Sequence, residues 1–372
     1  MLRVVDGNIL DAEVEALVNT VNTVGVMGKG IALQFRKAFP EMFKAYEQAC
    51  KAGLIEPGRM HVYDRGVMFN PRYIINFPTK RHWRGKSQIS DIETGLRALV
   101  EEIVRRNIKS IAIPPLGCGH GGLEWTEVFP LIKTALAHVA DLEAFVYAPR
   151  GAPAPEEMVN RTARPKMNPT RAAVLRVLSE YCILGFELSL LEIQKLLYFL
   201  QTAGEPLRLR FEQGVYGPYA DNLRHVLHLF EGHFITGFGD GRNNPRTPIR
   251  LHPEAVSEAV IEGERTASQE QRARWQRVSR LIDGFQSPYG MELLSSVHWV
   301  ATHHSASDLD VNAMVDSIHS WNNRKRRIMK PEHIRLAMDR LKNEGWLPDI
   351  APGSTQQLSN SASHLQGPTA AL

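Results

Sequence analysis

The sequence has few cysteines, no long apolar run and no strong excess of either charge. Its three cysteines, Cys50, Cys118 and Cys182, are odd in number and far apart, which argues against a disulfide framework and fits a reducing compartment. They also lack the spacing of a zinc site. No apolar run approaches the roughly 18 residues of a membrane span, and the N-terminus lacks a charged and then apolar leader. We therefore expect a cytoplasmic protein without membrane contact.

Charge and length set further bounds on the class of protein. The chain carries 44 Lys and Arg against 40 Asp and Glu, a formal net charge of +4, so its overall charge indicates neither a bulk polyanion binder nor an acidic mimic. Its 372 residues, of which 43% are hydrophobic, are enough for two soluble domains with separate cores.

A glycine-rich turn links a strand to a helix in VNTVNTVGVMGKGIALQF, residues 18–35. Gly25, Gly28 and Gly30 allow the backbone to approach a ligand closely. The helix that follows offers unpaired N–H groups and the positive end of its dipole to an anion. The spacing matches neither GxGxxG nor GxxxxGK[ST], but the pattern predicts a phosphate-binding loop.

A second glycine-rich loop, PPLGCGHGGLEW, occupies residues 114–125. It follows an apolar strand predicted at Ser110–Ile113 and precedes another helix. Two such loops in one α/β unit predict a ligand with two adjacent phosphates, gripped from both sides. Because strands alternate with helices through residues 1–150, we expect a mixed, mostly parallel sheet flanked by helices, with the loops after residues 18, 77 and 113 in one crevice.

The composition changes after residue 150. Residues 151–168 are rich in Pro, Ala and charge, lack periodicity and are predicted to be a linker. Residues 169–350 show helical spacing and predict a mainly α-helical second domain. Residues 351–372 are rich in Ser, Gln and Ala and are predicted to be disordered.

Lys80, in FPTKRHWRGK, is the first candidate for chemistry. It is either a solvated lysine in a basic run or a lysine whose pKa falls against a pocket of low dielectric, which makes the free amine a nucleophile or base. Asn22 also has two interpretations: a turn residue that bonds its own backbone, or an amide that orients a ribose hydroxyl. The residues alone leave both alternatives open.

Three further features have a structural and a functional interpretation. Cys118 lies between two glycines, and no sequence feature supplies it with a paired general base, which favours a small buried residue over a nucleophile. His120 is either a turn residue or a residue that hydrogen-bonds a phosphate or acts on a leaving group. The basic run Arg324–Arg327 is either a solvated helix face or a nucleic-acid contact.

Three segments together carry a specific resemblance: ALVNTVNTVGVMGKGIALQFRKAFP, INFPTKRHWRG and IPPLGCGHGGLEW. With them the first 150 residues resemble a macrodomain, the ADP-ribose-binding α/β module. They resemble more narrowly the branch that includes the human terminal ADP-ribose glycohydrolase and the bacterial DarG antitoxins. The later segments KLLYFLQ and YGPYADNLRHVL extend the similarity to DarG proteins over nearly the whole chain.

The resemblance implies an enzyme without a cofactor. It implies a DNA ADP-ribosyl glycohydrolase that removes ADP-ribose from thymine bases of single-stranded DNA. The implied partner is the toxin DarT, which attaches ADP-ribose from NAD to those bases and which the C-terminal domain would capture. The alternative is a non-catalytic ADP-ribose reader whose helical half binds nucleic acid or protein.

The resemblance also implies the site, with no metal. Lys80 matches the lysine on which activity depends, and Asn22 matches a residue at the distal ribose. Two positions depart from the pattern: Asn8 stands where macrodomains usually have an adenine-binding Asp, and Gly121 where the human enzyme has a catalytic Asp. The implied DNA contacts are Arg81, Trp83 and Arg84. The implied ADP-ribose contacts are Asn8, Ile9, Thr20, Val21, Asn22, Gly28, Gly30, Ile31, Ala32, Leu33, Thr79, Gly117, Cys118, Gly119, His120 and Gly121.

Overall fold

The computed structural model describes residues 1–182, 188–241, 246–303 and 310–347. These residues form two compact units, of which the first holds residues 1–164 and the second most of residues 165–347. The predicted domain boundaries at residues 150 and 169 remain a prediction. The tail predicted at residues 351–372 lies outside the described residues. Within the described part of the chain, no helix is both long and apolar enough to cross a membrane.

The first unit is built on one six-stranded sheet. Its strands are β1 (Leu2–Val5), β2 (Ala16–Asn22), β3 (His61–Asp64), β4 (Tyr73–Lys80), β5 (Ser110–Ile113) and β6 (Glu143–Tyr147). Their order across the sheet is β1, β6, β5, β2, β4, β3. Every neighbouring pair is parallel except β3 and β4. The predicted mixed, mostly parallel sheet is confirmed.

Four helices cover this sheet from both sides. They are α1 (Gly30–Ala38), α2 (Pro40–Lys51), α3 (Ile89–Arg106) and α4 (Trp125–Leu136). Successive side chains of a strand point to opposite faces, so Ala16 and Val18 join the core under α3 and α4. Leu17 joins the core under α1 and α2. A sheet buried on both faces explains why its strands appear as continuous apolar runs.

Two strands extend further than the sequence predicts. The apolar pattern predicts strands at 16–18 and 73–77, whereas β2 continues to Asn22 and β4 to Lys80. Two asparagines inside these strands are buried as a pair, in which Asn19 Nδ2 donates to Asn76 Oδ1 across 2.9 Å. A buried amide pair satisfies the hydrogen bonds that a polar side chain in a core requires. The extension makes Lys80 the last residue of its strand.

A glycine of α3 packs against the strand that carries Lys80. A Cβ at Gly95 would lie 2.2 Å from Cζ of the fully buried Phe77 on β4. We expect Gly95→Ala to destabilise the protein by about 1–3 kcal/mol, because the ring or the helix must move. Urea denaturation measures the change. Ser90→Ala, at an exposed position of the same helix, should stay within about 0.5 kcal/mol of the parent chain; equal effects would show that the contact is unimportant.

The second unit is mainly helical, as predicted. Its helices surround one core that includes Leu196, Phe199, Leu294 and Met338. They are α5 (Pro169–Cys182), α6 (Leu190–Thr202), α7 (Leu223–Phe230), α8 (Pro253–Thr266), α9 (Gln269–Ile282), α10 (Pro288–His303), α11 (Val311–Trp321), α12 (Asn323–Ile328) and α13 (Pro331–Asn343).

Short strands accompany these helices. Strands β8 (Phe211–Gly214) and β9 (Gly217–Ala220) form a hairpin. Strands β7 (Leu188–Ser189), β10 (Ile235–Thr236) and β11 (Pro248–Leu251) form a small antiparallel sheet. The sequence predicts a turn at 216–219, but the hairpin turns at residues 215 and 216, and residues 217–219 already belong to β9. Strands of two to four residues are too short to produce a readable alternation.

The basic run at 324–327 is partly a structural element. Lys325 is fully buried and donates to Glu292 and to Ser296, each across 2.8 Å. Arg324 donates two hydrogen bonds to the same carboxylate, at 2.5 and 2.8 Å. A buried charge must be paired in this way. Of the four basic residues of the run, only Arg326 and Arg327 are exposed.

Candidate active site

Three loops lie at the carboxyl ends of adjacent parallel strands. Residues 23–29 follow β2, residues 81–88 follow β4, and residues 114–124 follow β5. Strand β2 pairs in parallel with both β4 and β5, so the three strands end at the same edge of the sheet. The register places Asn22 directly opposite Lys80.

Lys80 contacts the second glycine-rich loop. Its Nζ donates a hydrogen bond to the backbone carbonyl of His120. Partial burial lowers the pKa of the Lys80 amine from its ordinary value, because desolvation disfavours the charged form. A neutral amine that donates one N–H to a carbonyl keeps its lone pair. This environment is that of a partly buried lysine in a crevice and differs from that of a solvated basic run.

Asn22 organises the first loop. Its Oδ1 accepts from the N–H groups of Val24 and Val26, at 3.0 and 3.3 Å, and its Nδ2 donates to the carbonyl of Val26. The hydroxyl of Tyr46, on α2, donates to the Asn22 carbonyl across 2.6 Å. The amide therefore acts as a turn residue that bonds its own backbone. Its contact with the distal ribose remains a prediction.

The first turn of α1 faces the end of this loop. The preceding residue, Lys29, makes no side-chain cap, so the first N–H groups of the helix are available to an anion. Gly30 has φ of +61°, a backbone conformation that glycine adopts at low energy. Leu33 anchors the helix in the core, while Ile31 and Ala32 are only half-buried.

The second loop is closed so tightly that one position accepts no side chain. A Cβ at Gly121 would lie 2.1 Å from the carbonyl oxygen of Gly117 and 2.3 Å from Oγ of Ser87. Gly117 itself has φ of +72°. Gly119 has open space around its Cβ position. The absence of an acid at position 121 is thus enforced by the packing of the loop.

The other side chains of the second loop differ in environment. Burial raises the pKa of the Cys118 thiol to about 11, with a smaller contribution from Glu124, and a protonated thiol is a poor nucleophile. Its Sγ lies 3.5 Å from the carbonyl of Leu116. The side chain of His120 is exposed. Cys118 therefore fits its interpretation as a small packing residue.

Asn8 and Ile9 lie at the end of β1, on the same edge of the sheet. Asn8 precedes a single 3₁₀ turn, Ile9–Asp11, and its Oδ1 accepts from the N–H of Leu10 across 3.1 Å. Its Nδ2 is buried and has no hydrogen-bond partner among the described residues. Ile9 packs into the core under α1. Because the side-chain oxygen is already occupied, Asn8 offers a donor where a carboxylate would offer an acceptor.

The strand ends carry the remaining predicted contacts. Val21 and Thr79 are 3% exposed, and Thr79 Oγ1 donates to the Val21 carbonyl across 3.5 Å. Thr20 is half-buried on β2. Gly28 precedes α1 by two residues. These residues support the loops from the sheet, and their contact with a ligand remains a prediction.

The segment after Lys80 forms one rim of the crevice. Arg81 donates two hydrogen bonds to Asp91, at 2.7 and 3.0 Å, and its carbonyl accepts from Thr23 Oγ1 across 2.6 Å. Trp83 is 42% exposed, and the guanidinium of Arg84 lies 4.5 Å from the centre of its ring. The three predicted DNA contacts are therefore neighbours, but the charge of Arg81 is already paired.

Sequence reasoning missed four residues that shape the site. Tyr46 supports the end of β2, and Asp91 holds Arg81. Thr23 joins the loop at 23–29 to the loop at 81–88, and Ser87 lies under the second glycine-rich loop at 114–124. No local motif distinguishes them, because each acts on a residue distant in the chain. The one signal in the sequence was Gly121, which stands where the human enzyme has an Asp and so indicates tight packing at that position.

These loops on this sheet define a macrodomain, and residues 18–132 match the Macro domain family. The DNA ADP-ribosyl glycohydrolase of Thermus aquaticus is 46% identical over 347 residues, which are 93% of this chain and 94% of the relative. That of Mycobacterium tuberculosis is 42% identical over 92% of this chain and 99% of the relative. The chain belongs to the DNA ADP-ribosyl glycohydrolase family, the DarG proteins. The predicted family and class of enzyme are confirmed.

Two shorter similarities concern the macrodomain region. A fusion protein of a DNA ADP-ribosyl transferase and a DNA ADP-ribosyl glycohydrolase from Thermosipho africanus is 37% identical over 163 residues, 40% of this chain and 42% of that protein. The solved macrodomain of Thermus aquaticus DarG is 56% identical over 40% of this chain and 99% of its own, with a TM-score of 0.39.

Proposed function

We propose that this enzyme hydrolyses the N-glycosidic bond between ADP-ribose and thymine in single-stranded DNA, and that Lys80 is its catalytic residue. The contact between Lys80 Nζ and the His120 carbonyl carries the proposal, since it brings the amine to the loop that would hold the pyrophosphate. The family membership supports the reaction class. The identity of the base and the single-stranded form of the DNA are part of the proposal.

The proposed step is an attack on the anomeric carbon of the ribose. The neutral amine of Lys80 forms a bond to that carbon as the bond to the base nitrogen breaks, and the base leaves with a proton from the amine. Water then hydrolyses the glycosyl-lysine and releases ADP-ribose and the free amine. In the alternative, the amine stabilises the opened sugar without a covalent bond. The covalent route requires an uncharged amine, which the lowered pKa of Lys80 favours.

The loops would supply the remaining stabilisation. The free N–H groups at the start of α1 and the turn at 117–122 would bind the two phosphates from both sides. Holding the phosphates fixed aligns the anomeric carbon with Lys80, which lowers the barrier by orienting the reactants. Trp83 and Arg84 would border the strand by stacking and phosphate contact. Arg81 would hold this rim in place through Asp91.

A release assay tests this function directly. Single-stranded oligonucleotides carrying ADP-ribose on thymine are incubated with the full chain, and free ADP-ribose and unmodified oligonucleotide are quantified by mass spectrometry. We expect release from thymine that exceeds release from ADP-ribosylated glutamate or serine peptides. Binding of ADP-ribose without any release would instead indicate a reader.

We also propose that the second unit binds the cognate DNA ADP-ribosyltransferase toxin, DarT. The unit has a separate core, so it provides a surface independent of the macrodomain. A fusion of transferase and glycohydrolase in Thermosipho africanus supports a functional link between the two activities. Capture would neutralise the toxin before DNA is modified, while hydrolysis would reverse modification afterwards.

Inhibition by a catalytically inactive chain separates capture from reversal. We expect excess full-length Lys80→Met to lower the initial rate at which the transferase modifies single-stranded DNA, because binding needs no hydrolysis. Residues 1–164 with the same substitution serve as the control and should leave the rate unchanged. Equal rates with both proteins would exclude capture by the second unit.

A further inference from the structure

A serine outside the predicted site lies under the second loop. Ser87 is 7% exposed, and its N–H donates to the carbonyl of Gly121 across 3.0 Å. Its Oγ is buried and has no hydrogen-bond partner in the part of the chain that the structure describes. The backbone of Ser87 is therefore tied to the loop, while its hydroxyl makes no hydrogen bond to any of the described residues.

The position of this hydroxyl relative to Lys80 follows from the glycines above it. Ser87 Oγ lies 2.3 Å from the point that a Cβ of residue 121 would occupy, and 3.2 Å from the corresponding point at Gly117. Gly121 directly follows His120, whose carbonyl accepts from Lys80 Nζ. The hydroxyl thus takes the space of a side chain at position 121, next to the residue that contacts the catalytic amine.

A buried hydroxyl without a partner destabilises a folded protein and is uncommon. Alanine would fill nearly the same space without this penalty. Packing under the loop therefore accounts for a small side chain at position 87 but not for its oxygen. A buried donor of this kind is satisfied when a ligand supplies the missing acceptor. The two glycines beside it, Gly117 and Gly121, belong to a loop whose backbone a ligand can approach closely.

We propose that Ser87 is a substrate-binding residue whose hydroxyl donates to an oxygen of the ADP-ribosyl group at the reactive end of the site. The identity of the ligand rests on the proposed function. As a neutral donor, Ser87 would add affinity and orientation, whereas Lys80 carries the chemical step. Both residues would act at the same short segment of the loop, Lys80 beside His120 and Ser87 beside Gly121.

Full-length Ser87→Ala tests the proposal by two measurements: calorimetric titration with ADP-ribose, and thermal unfolding without ligand. We expect the dissociation constant to rise about fivefold to tenfold, the effect of one neutral hydrogen bond. We expect an unchanged or higher melting temperature, because the substitution removes an unpaired buried oxygen.

Ser90→Ala is the matched control, since Ser90 is exposed three residues further along. It should bind ADP-ribose like the parent chain. Equal dissociation constants for the two variants would overturn the proposal, as would a fall in melting temperature at unchanged affinity, which would assign the hydroxyl to the fold. The measurement needs no turnover, so a parent chain that binds ADP-ribose but releases none would defeat the proposed function and leave the Ser87 comparison intact.

Discussion

Replacing Lys80 with methionine should reduce the release of ADP-ribose from modified DNA by at least about a hundredfold, the usual range for loss of a positioned base or nucleophile. Methionine keeps much of the length and apolar volume of the side chain but has no amine. The side chain projects from the end of β4 and is only partly buried, so the fold should persist. ADP-ribose binding by calorimetry should remain close to that of the parent chain.

Lys80→Arg distinguishes the amine from its charge. Arginine keeps a positive charge but cannot give up its proton at accessible pH, so it should be as inactive as methionine. Full activity of Lys80→Met would remove Lys80 from the mechanism. If Lys80→Arg were active and Lys80→Met were not, the residue would act through its positive charge rather than through a free amine.

The pH profile of the parent chain should report the same amine. Because burial lowers the pKa of Lys80, the neutral form becomes available at a lower pH than for a solvated lysine. The single-turnover rate should therefore rise with pH and level off below the ordinary lysine pKa of about 10.4. A rate that falls as pH rises through the neutral range would contradict a mechanism through the free amine.

Gly121→Ala should abolish the binding of ADP-ribose and, with it, release. The new Cβ would overlap the carbonyl oxygen of Gly117 and Oγ of Ser87, and a backbone carbonyl cannot move aside without opening the turn. The peptide groups at 117–122 would then leave the positions from which, in the proposed function, they bind the phosphates. Because His120 precedes the changed residue, its carbonyl would also leave Lys80. Calorimetric titration and the release assay measure the two effects.

Gly119→Ala is the matched control in the same loop. Its Cβ would have no atom within 4 Å, and its φ lies outside the left-handed region. It should therefore leave the loop closed and the melting temperature nearly unchanged, because surface substitutions usually change stability by less than about 0.5 kcal/mol, whereas Gly121→Ala should lower the melting temperature. Equal losses in both variants would mean that the loop tolerates no side chain anywhere. An active Gly121→Asp would contradict the steric argument altogether.

The parts of the fold that the sequence predicts are the helices and the order of strands and helices, because these depend on residues that are near each other in the chain. The glycine turn and the apolar spacing predict helices at residues 30–38 and 89–106, and α1 and α3 have these bounds. The parallel sheet follows from the alternation of strands and helices. Strand ends were less predictable, because Asn19 follows the apolar run of β2 and looks like a loop residue until its buried partner, Asn76, is known.

The sequence by itself determined the family, the two glycine-rich loops and the choice of Lys80, because each depends on residue types at short spacing. Only the tertiary structure decided how these parts meet. It places Asn22 opposite Lys80, brings the His120 carbonyl into a hydrogen bond with the Lys80 amine and places Ser87 in the space that a side chain at position 121 would need. These contacts join residues up to 58 positions apart, as Asn22 and Lys80 show. Such pairings depend on strand register and loop closure, which no local pattern records.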